Sequence, residues 1–123
     1  MAHKILIVDD DQINIAIVKF GLSERRYQVS VAEDGPEGLE KVEADKPDLI
    51  VLDIQMPKMN GLEFMGEHKQ LQGFQITPVI MLTANETMQD VFKVEGVKGY
   101  FVKPIKLASL IQRIIECLGP NPI

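Results

Sequence analysis

The sequence predicts an α/β domain in which a parallel sheet lies between two layers of helices. Three observations carry this expectation. Five short apolar runs alternate with segments of helical period, the alternation that builds strand–helix–strand units with right-handed crossovers. Four of the five runs are apolar at nearly every position, as strands covered on both faces must be. The chain has 123 residues and no linker, repeat or low-complexity stretch, a length that suits one domain with a substantial core. We therefore expect residues 1–123 to form a single domain.

The first strand is expected over 5–8 (Ile5-Leu6-Ile7-Val8), running into Asp9-Asp10-Asp11. Ile13, Ala16, Ile17 and Phe20 then form a helical stripe, predicted to face the core. Asp11 stands just before it, where a short acid caps a helix. Residues 28–32 make the second strand, and the polar Gln28 and Ser30 mark it as the sheet edge. Pro36 after Gly35 fits the first turn of a helix carrying Leu39 and Val42. The third strand, 49–52, empties into Asp53 and then Ile54-Gln55-Met56-Pro57. Gly61 opens a helix with Leu62 and Met65, and 79–82 form the fourth strand, ahead of Thr83-Ala84. Met88, Val91 and Phe92 mark a helix before the fifth strand, 100–102, which leads into Lys103-Pro104. Leu107, Leu110, Ile111, Ile114 and Leu118 form the last stripe, and the tail from Gly119 is expected to fray.

Composition narrows the function. The net charge of −5 and pI near 5.0 argue against nucleic acid as a direct partner, which needs a clustered basic surface. No apolar stretch approaches the roughly 20 residues needed to span a bilayer. The first residues run directly into a strand, leaving no room for a signal peptide. One cysteine, Cys117, cannot form an internal disulfide and suits a reducing compartment. A cytoplasmic location is the expectation. His3 and His68 lack a spacing for zinc and are expected at the surface. Cys117 and most methionines are expected to fill gaps in the packing.

In open parallel sheets, ligands bind beyond the carboxyl ends of the strands. Asp9-Asp10, Asp53, Thr83-Ala84 and Lys103-Pro104 all fall there. Singly each has an ordinary reading: a turn cap for Asp53, a β-branched strand residue for Thr83, a solvated charge for Lys103. Arriving at matching depth on four strands, they read as a site. Clustered carboxylates repel unless a cation or proton neutralises them. Carboxylate oxygens bind hard cations such as Mg²⁺ together with phosphate oxygens, and a carboxylate can itself become an acyl phosphate. The set therefore suggests phosphoryl transfer. If Asp9 and Asp10 hold the metal, Asp53, alone at the end of its strand, is the better nucleophile.

Ile7-Val8-Asp9-Asp10, Val51-Leu52-Asp53-Ile54-Gln55-Met56-Pro57, Met59-Asn60-Gly61, Thr83-Ala84 and Tyr100-Phe101-Val102-Lys103-Pro104 resemble, in order and over nearly the whole chain, the receiver domain of two-component response regulators. The resemblance implies a flavodoxin-like (βα)5 fold, doubly wound in three α/β/α layers, with strand order 2-1-3-4-5. It implies that Asp53 accepts a phosphoryl group from a sensor histidine kinase or a histidine phosphotransfer protein. Asp9, Asp10, Asp53 and the backbone carbonyl of Gln55 would hold Mg²⁺, for which Mn²⁺ can substitute. Thr83, Ala84 and Lys103 would bind the phosphoryl group, Tyr100 would turn inward as Thr83 moves, and the bond before Pro104 would be cis. Gln55 and Asn85 stand where the family tunes access of water to the acyl phosphate. Output would go to a downstream protein or to an output domain outside this sequence, from a monomer or a weak phosphorylation-linked dimer. Such a protein is not an enzyme beyond catalysing its own phosphorylation and dephosphorylation.

The chain departs from the family in the step from Thr83 to Lys103, which is shorter than usual, with the shortage between Thr83 and Gly96, so the helix there is expected to be short or to start late. Two other functions compete. An aspartyl-nucleophile, metal-dependent phosphatase would need a general acid two residues past Asp53, where Gln55 stands. A receiver-like module that never takes phosphate would be expected to lack an acid or the lysine, and this chain has them all.

Overall fold

The computed structural model describes residues 2–56, 58–72, 77–84 and 96–122. In these, strands β1 (Lys4–Val8), β2 (Gln28–Ala32), β3 (Leu49–Asp53), β4 (Val79–Thr83) and β5 (Val97–Val102) accompany helices α1 (Gln12–Glu24), α2 (Gly35–Asp45), α3 (Gly61–Gln72) and α4 (Leu107–Leu118). The helix expected at Met88, Val91 and Phe92, with Asn85 and the shortened step, lies outside the described residues. All strand pairs are parallel, in the order β2-β1-β3-β4-β5.

Side chains alternate across each strand, so the sheet carries a core on either side. Leu6, Val8, Ile50 and Leu52 pack with Val42 of α2 and with Phe64 and Met65 of α3. Ile5, Ile7, Leu49 and Val51 pack with Ile15, Val18 and Leu22 of α1 and with Leu110, Ile111 and Ile114 of α4. The central strands are buried on both faces, which is why they read as unbroken apolar runs. β2, at the edge, is only partly buried over most of its length.

Short polar side chains set where the helices begin. Asp11 caps α1, accepting hydrogen bonds from the backbone N–H groups of Ile13 and Asn14 at 3.0 and 3.3 Å. Asp34 caps α2 through the Glu37 N–H at 2.8 Å. Asn60 and Glu63 exchange a reciprocal pair ahead of α3, each such cap contributing about 1 kcal/mol.

Four expectations need correction. The predicted core stripe of α1 faces outward: Ile13, Ile17 and Phe20 are 74%, 53% and 67% exposed. The helix buries Ile15, Val18, Gly21 and Leu22 instead. A Cβ on Gly21 would lie 2.2 Å from Leu107 Cδ2, so the missing side chain lets α4 approach. His68 is wholly buried, with Nε2 3.2 Å from the Thr77 carbonyl oxygen and its ring stacked on Phe64. Burial holds its imidazole below the ordinary histidine range. The tail is tied back rather than frayed: Asn121 Oδ1 accepts the His3 N–H at 2.8 Å, and Asn121 Nδ2 donates to the Arg25 carbonyl at 3.0 Å. Finally, β5 begins at Val97 rather than at 100, with a register shift opposite Val79 and Ile80. Lys98 and Gly99 hid this start. A Cβ on Gly99 would lie 3.0 Å from Arg113 Cγ, so α4 crosses the strand closely there.

Candidate functional site

The register of the sheet assembles the site. Val8 pairs with Leu52, so Asp9 leaves β1 beside Asp53 at the end of β3. Asp53 pairs with Leu82 and Thr83 with Val102, which brings Lys103 out of β5 on the same rim. The Asp9 N–H still donates to the Ala32 carbonyl at 3.0 Å, extending the β1–β2 ladder and fixing where its carboxylate points. At the other edge the Lys103 N–H donates to the Thr83 carbonyl at 2.7 Å. The Lys103–Pro104 peptide bond is cis.

One carboxylate oxygen each from Asp9, Asp10 and Asp53 lie within 4.8 Å of one another. Asp9 and Asp53 are buried, while Asp10 is exposed and opens the cluster to solvent. The Lys103 ammonium lies 3.3 Å from Asp53 Oδ2 and 3.6 Å from Asp9 Oδ2. Three carboxylates against one ammonium leave two uncompensated negative charges. Hard oxygen donors with that deficit suit a divalent cation. The donor set therefore fits a metal of the Mg²⁺ class.

The same crowding acts on Asp53, whose carboxyl is pushed up to about 6. Burial is the main cause and the adjacent Asp9 carboxylate the next, partly offset by the Gln55 N–H and by Lys103. Asp53 Oδ1 accepts the Gln55 N–H at 3.1 Å. Asp9 Oδ1 accepts the Asp11 N–H at 2.9 Å, and Asp9 Oδ2 accepts from Asn14 Nδ2.

The structure brings Asp9, Asp10, Asp53, Gln55, Thr83, Ala84 and Lys103 to one rim. Thr83 is wholly buried at the end of β4, and Tyr100 is half-buried against the core on the α2–α3 side. Sequence reasoning missed one participant, Asn14, and one link made by a residue it had already placed in the site, Gln55. Asn14 lies one turn into α1, and the Asp11 cap aims it back at Asp9. The Gln55 side chain reaches across to β4, where its Oε1 accepts the Ala84 N–H at 3.1 Å. Neither link follows from spacing, because each joins a loop or helix start to a different strand end.

Comparison with known proteins agrees with this arrangement. The family model described as the response regulator receiver domain matches residues 5–115. The alkaline phosphatase synthesis transcriptional regulatory protein PhoP of Bacillus subtilis is 37% identical over 125 residues, covering 100% of this chain and 51% of that protein. The Regulator of RpoS of Escherichia coli K12 is 37% identical over 124 residues, covering 98% and 36%. The chain thus spans about half or less of these relatives' length. Among solved structures, Vibrio cholerae chemotaxis protein CheY4 superposes with a TM-score of 0.87 at 31% identity, covering 96% of this chain and 100% of that one. The receiver domain of sensor histidine kinase PA1611 from Pseudomonas aeruginosa PAO1, with a magnesium ion coordinated in its active site cleft, gives 0.86 at 26% identity, covering 97% and 99%. No helix among the described residues is long and apolar enough to cross a membrane.

Proposed function

The chain belongs to the response regulator receiver domain family, and from that premise we propose that it is a phosphoacceptor switch in a two-component phosphorelay. Asp53 is its acceptor, and a phosphohistidine on a sensor histidine kinase or a histidine phosphotransfer protein is its donor. One observation supports this best: Asp53 is buried, crowded by Asp9 and held 3.3 Å from the Lys103 ammonium. Its carboxyl, pushed up to about 6, is mostly ionised at neutral pH yet poorly solvated, a combination that favours attack.

In the transfer, an Asp53 oxygen bonds to phosphorus as the bond to the donor nitrogen breaks. Mg²⁺, held by Asp10, Asp53, the Gln55 carbonyl and, through water, Asp9, or Mn²⁺ in its place, would neutralise charge on the phosphoryl oxygens. Lys103 is placed to follow the charge from carboxylate to phosphoryl group. Thr83 and the Ala84 N–H would serve the remaining oxygens. Tyr100, half-buried beside β4, would follow Thr83 inward and alter the surface offered to a downstream protein or output domain. A cytoplasmic setting accords with that role. Gln55 argues against the phosphatase alternative, since an amide cannot act as general acid there.

Incubation with Mg²⁺ and acetyl phosphate, followed by intact mass measurement, tests the proposal. We expect one phosphoryl adduct, lost when the metal is chelated. Sustained hydrolysis of small phosphate esters would favour the phosphatase.

The outward stripe of α1 gives the donor protein a landing surface. Ile13 and Ile17 line a cavity of about 370 Å³ together with Asp11, Asn14, Lys103 and Ile105, so exposed apolar surface is continuous with the lysine of the site. Any protein delivering a phosphohistidine to Asp53 must cover this rim. Ile17→Glu is therefore expected to slow transfer from a phosphorylated donor protein at least ten-fold, a ~1.4 kcal/mol loss. It should leave adduct formation from acetyl phosphate unchanged. Equal slowing with both donors would contradict this.

A further inference from the structure

We propose that the Gln55 side chain is a latch on the phosphoryl-free site, holding the Ala84 N–H until a phosphoryl group displaces it. The inference rests on the reading of Asp53 as acceptor and concerns what governs its loading. The regular β3–β4 ladder reaches the Ile54 N–H, which donates to the Leu82 carbonyl at 2.9 Å. Beyond it the strands give way to loops, and Gln55 makes the next link. Its Oε1 lies 3.1 Å from the Ala84 N. That backbone donor requires an acceptor, so the amide oxygen and not the amide nitrogen faces it. The backbone N–H of the same residue is bound to Asp53 Oδ1 at 3.1 Å. One residue thus holds both the acceptor carboxylate and the backbone donor at the end of β4.

Charge on the transferring group spreads over its equatorial oxygens and needs preorganised donors around it. The Ala84 N–H, one residue past the buried Thr83, is such a donor on the acceptor's own rim. A glutamine carbonyl and a phosphoryl oxygen cannot both take that single hydrogen at full strength. Before transfer the neutral amide holds it. Afterwards the charged oxygen makes the stronger bond, so the latch resists loading but releases once the phosphoryl group is in place. Both Gln55 and Ala84 are exposed, so the side chain can swing out without disturbing the core.

The test compares the wild-type chain with Gln55→Leu, which keeps bulk and removes the acceptor, and with Gln55→Glu, which keeps an acceptor at that length. Initial rates of adduct formation from acetyl phosphate and Mg²⁺ are read by intact mass, early enough that hydrolysis does not enter. In that reaction the Asp53 oxygen–phosphorus bond forms as the acetyl oxygen–phosphorus bond breaks, and acetate leaves with the electron pair. We expect Gln55→Leu to load about two- to ten-fold faster, the range that one net hydrogen bond supports. Hydrogen exchange at the Ala84 amide should also be faster in the phosphoryl-free variant. Gln55→Glu should load more slowly than Gln55→Leu. Loading of Gln55→Leu at the wild-type rate or below it, or an unchanged Ala84 amide, overturns the latch while leaving the acceptor assignment intact. A wild-type chain that takes no phosphoryl group overturns the assignment itself.

Discussion

Asp53→Asn is expected to raise the stability of the metal-free protein above pH 6, although most substitutions at buried sites lower it. The sign follows from proton linkage. The folded chain holds the Asp53 proton up to about pH 6, whereas in the unfolded chain the carboxyl ionises near its ordinary value of about 4. Across that window the folded state binds more protons, so stability falls as pH rises, and the deficit persists above it. Removing the charge should recover about 2–3 kcal/mol at pH 7.5, or roughly 5–10 °C in melting temperature. The gain should vanish below about pH 4, where both states are protonated. Mg²⁺ should stabilise the wild-type chain more than the variant, because it meets the same charge deficit. Melting curves at pH 4 and pH 7.5, with and without the metal, check all three statements. A variant less stable than the wild-type chain at pH 7.5 would contradict the account.

Lys103→Ala should act in the opposite direction. The Lys103 side chain is 19% exposed and lies between Asp9 and Asp53, whose side chains are 0% and 4% exposed. Without it, two buried carboxylates face each other with no cation. Breaking a buried pair typically costs 3–5 kcal/mol; since Asp10 opens this cluster to water, roughly 2–3 kcal/mol is the expectation here. The cost should shrink below about pH 5, because Asp53 then keeps its proton. Adduct formation from acetyl phosphate should fall about a hundred-fold, as when one preorganised donor to a transition state is lost. Lys103→Arg should restore more of the stability than of the rate, since it replaces the charge but not the point geometry. Denaturant titration and initial adduct rates separate the two effects. Full-rate phosphorylation of Lys103→Ala would remove the lysine from the chemistry.

The strands and the acidic rim were legible because both are written in contiguous letters, whereas the strand order came only from the resemblance to the receiver family. β1, β3 and β4 are mostly Ile, Leu and Val, and each ends on or runs straight into a residue that is out of place in a core: Asp9, Asp53, Thr83. The outward face of α1 was not legible. Ile13, Ile17 and Phe20 repeat at helical spacing, but so do Ile15, Val18 and Leu22, and periodicity alone cannot say which stripe meets the sheet. The small Gly21, which lets α4 close in, is the residue that decides it. His68 was misplaced because only Leu62 and Met65 were counted on its helix. Phe64 and His68, four apart, share its buried face with Met65. The Gln55–Ala84 and Asn14–Asp9 links depend on where side chains point once the strands are in register, which no spacing encodes.

Where the phosphoryl group goes is the most direct measurement. After reaction with acetyl phosphate and Mg²⁺, borohydride reduction converts an aspartyl phosphate to homoserine, and fragment mass spectrometry locates it. The account predicts that the label falls at position 53 alone, requires the metal, and disappears in Asp53→Asn. A label at Asp9 or Asp10, or none in a folded chain supplied with Mg²⁺, would contradict it.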